Sequence, residues 1–417
     1  MAMTTTVPAA DALHRVMATA EGWADPYPLY RQLLEQADVY RSEHDDLWYA
    51  FRHRTCRQVL QDNRLGHDST RPLRRPGMGE VRSPRLREHF ERRRRNGLSM
   101  VTANPPDHTR LRGLVNRAFT PRRVEGLRDR ITELVDQHLD RIAEAGSADV
   151  MADLALPLPV SVISELVGIP EEGRALFHPL LLDGRLEDGR EPTDEQLREV
   201  DISFEERNTF FRSLIEHRRS IPQDDMLSAL VAVRDGDDGR LSEAELMATV
   251  FLLYFAGFVT TTNLIGNGLL ALFQHPGEMA RLWADGNLVP SAVEEMLRYD
   301  SPVQFVTREV LEAAEVDSVA LAPGEAVVAV LGAANRDPAH FPEPDRFDVG
   351  RTDNHPLSFG AGIHFCLGAP LARLEAQVVF ARMRERFTHL EPLVDEPPRA
   401  RGFLRGLQSL PVRIRIR

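Results

Sequence analysis

Cysteine is scarce in this chain of 417 residues, which has only Cys56 and Cys366. Two thiols so far apart build no disulfide framework, and a chain of this kind is expected in a reducing, cytoplasmic compartment. No C-x-x-C pair is present, so a zinc site would have to be made from His364 and Cys366 alone, two ligands where four are needed. Long apolar runs are missing as well. The opening "MAMTTTVPAADALHRVMATAEG" has no apolar stretch of a leader peptide. The most apolar segment, "VFLLYFAGFV" from Val250 to Val259, is about half of a membrane span. Positive charge is in deficit, with a net charge of −12, which argues against a nucleic-acid partner. Internal repeats and low-complexity linkers are absent too. The expectation is a water-soluble protein that binds neither membrane nor nucleic acid.

What is present is enough apolar material, 42% of residues, to build a sizeable core. The length suits one large domain or two to four ordinary ones. Helical spacing dominates. "RVEGLRDRITELVDQHLDRIAEAG" repeats apolar residues from Val124 to Ile142 and stops at Gly146. Ser242 and Glu245 form a capping box ahead of a long segment that is apolar almost all round and ends at Pro276. A further helix is predicted from Ser291, and alternation marks strands in "VQFVTREV", "AVVAVL" and "PVRIRIR". Loops rich in Pro, Gly and Asp fall at 70–85, 184–194, 234–240 and 335–350. The fold class is mostly α with minor β contributed from both ends of the chain. Ten arginines crowd the stretch from Arg71 to Arg95, either as a solvated basic face or as an anchor for an anionic substrate or acidic partner.

The second cysteine stands in "SFGAGIHFCLGAPLAR", residues 358 to 373. A thiolate becomes a metal ligand when a helix N-terminus or the metal lowers its pKa. Leu371, Leu374, Val378 and Ala381 share a helical face, so a helix starts just after Cys366 and points its positive end at the sulfur. Gly360, Gly362 and Gly368 let the backbone pass close to a flat ligand. A single thiolate in such a cradle suits an axial haem ligand; the plainer alternative is a buried free cysteine.

Phe359, Gly360, Gly362, His364, Cys366, Gly368, Leu371, Ala372 and Arg373 match F-G-x-G-x-H-x-C-x-G-x-x-L-A-R. With this motif the sequence resembles the bacterial soluble cytochrome P450s, the haem-thiolate monooxygenases. The resemblance runs from about residue 25 to the end. It implies an N-terminal extension over 1–24 and one P450 domain over 25–417, with a helix-rich lobe and a smaller β-rich lobe. The implied cofactor is haem b, with Cys366 as the metal ligand and Phe359 beside it. The resemblance makes Glu295 and Arg298 the family's E-x-x-R pair, closed by Arg346 in "PDRFD", which braces the core. It makes His108, Arg112, Arg308 and His364 the partners of the haem propionates, cations and imidazoles being the donors that buried carboxylates need.

In the family, a helix motif of the form small-Gly-x-acid-Thr-Thr manages protons. Here it reads "AGFVTT", Ala256 to Thr261. Gly257 is expected to let the helix approach the haem, with Ala256 beside it and Thr260 as the alcohol that handles bound oxygen. A hydroxyl on a helix also bonds back to its own carbonyls. Val259 departs from the pattern, because valine cannot carry a proton. Another group or a water chain replaces the acid, or the substrate supplies the polar group, or the reaction is a ring closure or coupling rather than oxygen insertion. The resemblance places the substrate against Leu253, Ala256, Phe305, Val306 and Phe403, with the arginine-rich stretch and the loop near 178–200. A medium-sized organic molecule with a polar or anionic end fits such a lining.

A cysteinate ligand favours O–O cleavage, so C–H oxidation with O2 is the expected chemistry, in natural-product tailoring. Electrons would come from a ferredoxin and its reductase, docked on Arg110, Arg117, Arg122, Arg123 and Arg373. The alternatives are a peroxide-driven peroxygenase and a non-catalytic haem sensor.

Overall fold

A computed structural model describes residues 9–68, 74–76, 79–80, 88, 99–174, 193–235, 241–400 and 404–416. Most of the arginine-rich stretch, the segment 175–192 and Phe403 lie outside the described residues. The chain divides into two compact units. One gathers Met1–Arg82, Ser291–Cys366 and Phe403–Arg405; the other gathers Ser83–Pro290, Leu367–Gly402 and Gly406–Arg417.

The first unit is built on a five-stranded sheet in the order Val39–Ser42, Leu47–Ala50, Ala326–Ala329, Val306–Val310, Leu65–Gly66. Ala326–Ala329 lies in the middle and is buried at every position, which explains its uninterrupted apolar sequence. It runs parallel to Leu47–Ala50, with Val327 opposite Trp48, and antiparallel to Val306–Val310, with Val327 opposite Arg308. One core cluster joins Tyr30, Leu33, Tyr49, Phe51, Val328 and Val330. Ala12, Leu13 and Val16 of the helix Ala9–Ala18 are members of the same cluster. That helix belongs to the 1–24 segment expected as an extension, and its apolar face is part of the core.

Two imidazoles make this unit sensitive to acid. His53 opens the helix His53–Gln61, and its ring stacks on His340 with centroids 3.5 Å apart and planes within 10°. Phe341 meets His53 edge-on. Burial, then the neighbouring His340, pulls His53 from 6.5 down to about 4, and burial lowers His340 as well. Because the folded pKa lies below the unfolded one, the unfolded chain takes up more protons. Stability is therefore present above pH 6.5 and is lost as pH falls toward 4, by about 3 kcal/mol for a shift of this size. Urea unfolding across that window should show this loss, and His53→Gln should flatten it; an equal slope in the variant would refute the assignment.

The second unit is helix-rich. The helix Glu243–Gln274 has 32 residues, about 48 Å, and starts from the expected capping box. Ser242 Oγ accepts from the Glu245 N–H at 3.2 Å, and Glu245 Oε2 accepts from the Ser242 N–H at 2.8 Å. Among the described residues it alone is long and apolar enough to span a bilayer, and 56% of its most apolar window is buried inside the protein. The helix predicted over Val124–Ile142 is broken. Pro121–Glu125 ends at Gly126, and Arg128–Ala145 follows, closed by Gly146 at φ +70°. Glycine inside a helix costs about 1 kcal/mol, and Pro121 fits only a first turn, so two short starts replace one long helix. The helix predicted from Ser291 begins at Val289 and runs from Ser291 onward in the first unit; Pro290 is in its first turn, and the Ser291 hydroxyl donates to the Val349 carbonyl at 2.7 Å. A three-stranded antiparallel sheet, Phe387–Pro392, Pro411–Ile416 and Ser147–Asp149, ties the end of the chain to its middle.

Candidate functional site

In the first unit, Cys366 ends a tightly folded loop. Its backbone N–H donates to the Phe359 carbonyl at 2.9 Å, and the Gly360 and Phe365 amides close turns onto Leu357 and Gly362. Gly360 and Gly362 both have φ +71°. At Gly362 a Cβ would stand 2.3 Å from the Leu60 carbonyl oxygen, so only glycine fits. At Gly360 a Cβ would meet no protein atom within 4 Å, so that side of the loop is open. Cys366 is exposed and so is Phe365, at 42%, with its ring 6.4 Å from that of Phe359.

The loop is anchored to a buried ionic cluster. The Ser358 hydroxyl donates to the Leu297 carbonyl at 2.7 Å and accepts from Asn335 Nδ2 at 2.9 Å. One turn away, Glu295 and Arg298 are both 0% exposed. Arg298 makes two parallel bonds to the Glu295 carboxylate, at 2.7 and 2.8 Å, and donates to the carbonyls of Asn335, Pro344 and Arg346. The second guanidinium on Glu295 is that of Arg351, whose Nε lies 3.1 Å from Oε2. This corrects the expectation that Arg346 closes the pair. Arg346 offers its backbone carbonyl, while its side chain is exposed and pairs with Glu343. The long arginine at 346 points outward because its carbonyl is needed inside.

Arg308 sits on the sheet strand Val306–Val310 and is 5% exposed. Among the described residues no carboxylate pairs with it; its bonds go to His67 Nε2 at 3.3 Å and the Thr307 carbonyl at 3.0 Å. Burial pulls its pKa down to about 10 and brings that of His67 to about 4, helped by Arg308. The His364 ring lies 5.6 Å from that of His67, edge to face. A buried guanidinium with two imidazoles and no anion of its own is a donor set for a carboxylate ligand. This fits a haem propionate, and His67 is a member that sequence reasoning missed, for lack of any motif around it.

Phe305, expected as substrate lining, is buried in the core cluster with Tyr30 and Phe51, and Val306, expected beside it, packs against the neighbouring cluster.

In the second unit, His108 is buried near the start of the helix Asp107–Ala118, with half-buried Arg112 one turn on. Arg110, expected on a basic docking patch, is tied to Glu245 and Asp107, and Arg123 lies 3.6 Å from Asp224. The side chain of Arg117 is outside the described residues.

The helix Glu243–Gln274 has an open strip at its middle. Leu252, Phe255, Val259 and Thr260 are half-buried and Ala256 is exposed, whereas Thr261 to Leu272 are buried throughout. At 100° per residue these five positions share one face. Leu253, expected as substrate lining, is buried next to it. At Gly257, expected to let the helix approach the haem, a Cβ would lie 2.7 Å from the Ile163 side chain, so the glycine serves packing between helices. The Thr260 hydroxyl donates to the Ala256 carbonyl at 3.1 Å.

These features define a class. The family described as Cytochrome P450 matches residues 192–416, more than half of the chain. The chain belongs to the cytochrome P450 family, has its mostly helical fold, and is a P450 monooxygenase, a haem-iron enzyme. It is 43% identical to Cytochrome P450 107B1 of Saccharopolyspora erythraea, over 88% of this chain and 89% of that one. It is 38% identical to the polyketide biosynthesis cytochrome P450 PksS of Bacillus subtilis, over 93% and 95%. Among solved structures, P450BioI in complex with an acyl carrier protein ligated to hexadec-9Z-enoic acid superposes with a TM-score of 0.84. It is 35% identical, with 95% of this chain and 100% of that chain covered.

Proposed function

We propose that this P450 hydroxylates a C–H bond of a medium-sized natural product, with haem b held by the Cys366 thiolate and electrons from a ferredoxin and its reductase in the bacterial cytoplasm. The observation that carries the reading is the Cys366 loop, rigidly turned at two glycines and fastened to the Glu295–Arg298 core. Relatives such as PksS, named for polyketide biosynthesis, support the substrate class.

When bound, a thiolate-ligated haem supplies oxygen activation. The chain's residues hold and orient. Arg308, with His67 and His364, would bind one propionate group, and His108 and Arg112 are proposed as further propionate partners on the family resemblance. Leu252, Phe255, Ala256 and Val259 offer the substrate an apolar wall, and Thr260 adds one hydroxyl that is held by its own helix. Overall, one oxygen atom enters the substrate, and the other leaves as water after uptake of two electrons and two protons.

The test is an optical titration of the ferric protein with polyketide macrolactones, then turnover with a surrogate ferredoxin system. A product heavier by one oxygen atom is expected. A product lighter by two hydrogens, or turnover with peroxide alone and none with the electron donors, would overturn the proposal.

A further inference from the structure

His67 is the member of the Arg308 cluster that no motif explains, and two charge states are open to it there. It follows the edge strand Leu65–Gly66, which pairs with Val306–Val310 so that Gly66 lies opposite Glu309. Continuing that register by one residue puts His67 across from Arg308. The sense of their contact is fixed by chemistry. A guanidinium has donors only, so at 3.3 Å Arg308 donates and His67 Nε2 accepts. The imidazole is therefore neutral, with its proton on Nδ1. Burial first, and then Arg308, brings its pKa down to about 4.

The other groups around the ring do not reverse this. His364 meets it edge to face with centroids 5.6 Å apart, and the nearby Glu309 carboxylate accepts from the Asp68 amide. The cluster thus holds one fixed positive charge and an imidazole that can become a second. A carboxylate has two oxygens and accepts from two cationic donors at once. Brought against Arg308, it changes the balance at His67, because a neighbouring negative charge favours the imidazolium and turns Nε2 into a donor.

We propose that His67 makes haem uptake proton-linked: as a propionate binds beside Arg308, one proton passes from solvent to His67 Nε2, and no electron moves. The pKa of His67 is higher with the propionate bound than without it. This group therefore tightens binding as pH falls from the raised value toward about 4, and adds nothing above the raised value.

The inference rests on the haem-binding reading of the site, and its test keeps the two apart. The full chain without haem is titrated with haem and with haem dimethyl ester, whose propionates carry no charge. The range is about pH 5.5 to 8, above the region near 4 where His53 protonates. Calorimetry in buffers of different ionisation heat counts the protons exchanged. Ligation releases the thiol proton of Cys366 in every titration, so differences isolate His67. At the acid end of the range, wild type should take up about one proton more with haem than with the ester. Its haem dissociation constant should also rise with pH more steeply than that of His67→Gln, by up to about tenfold per pH unit. In H67Q the difference between haem and ester should vanish, although the amide can still donate to a carboxylate and haem should still load. Equal proton uptake with haem and ester in wild type, or a difference that H67Q retains, would overturn the proposal. A reduced carbon monoxide complex without the thiolate spectrum would instead defeat the haem-thiolate reading, while the proton count would still decide the role of His67.

Discussion

Replacing Cys366 by alanine is expected to abolish oxidation driven by the electron donor while leaving the protein folded. The loop is shaped by its backbone: the Cys366 N–H bond to Phe359, the turns at Gly360 and Gly362, and the Ser358 anchor survive without the sulfur. The exposed side chain contributes little to packing. What it contributes is chemistry, because a thiolate donates electron density that promotes O–O cleavage and alanine donates none. Reductant-dependent product formation should disappear, and the urea midpoint measured without haem should stay close to wild type. Product formed at the wild-type rate would show that the sulfur is not the ligand.

The second large effect is one of stability. Glu295→Gln should destabilise the protein by about 3–5 kcal/mol, the range for removing one member of a buried ion pair. The carboxylate is fully buried and takes bonds from Arg298, Arg351, Asn354 and the Asp348 amide, so an amide in its place leaves two guanidinium groups facing a donor. The same helix holds the Ser358 anchor through Leu297, so the loss should extend to the Cys366 loop and appear as poor haem retention. Arg351→Ala should show a milder form of the same defect and Arg346→Ala almost none, since the Arg346 side chain is exposed. Urea unfolding and haem content of the three variants measure this. Equal losses in the Arg346 and Arg351 variants would contradict the assignment.

Much of this was legible in the sequence where the signal is local. The Ser242–Glu245 capping box is a three-residue relation and stands as read, while the strands expected in "VQFVTREV", "AVVAVL" and "PVRIRIR" form over the shorter spans Val306–Val310, Ala326–Ala329 and Pro411–Ile416. What could not be read depends on which way a side chain turns. Arg346 and Arg351 both follow Pro342 closely, and no periodicity in a turn-rich loop tells which guanidinium points inward. Gly257 answers to Ile163 on another helix, a contact far away in sequence.

The claim on which all the rest depends is a bond from the sulfur at 366 to haem iron, and one spectrum tests it. Haem-loaded protein, chemically reduced under carbon monoxide, should give the strongly red-shifted Soret band of a thiolate complex. A band at the shorter wavelength typical of an imidazole or neutral-thiol ligand would contradict the account.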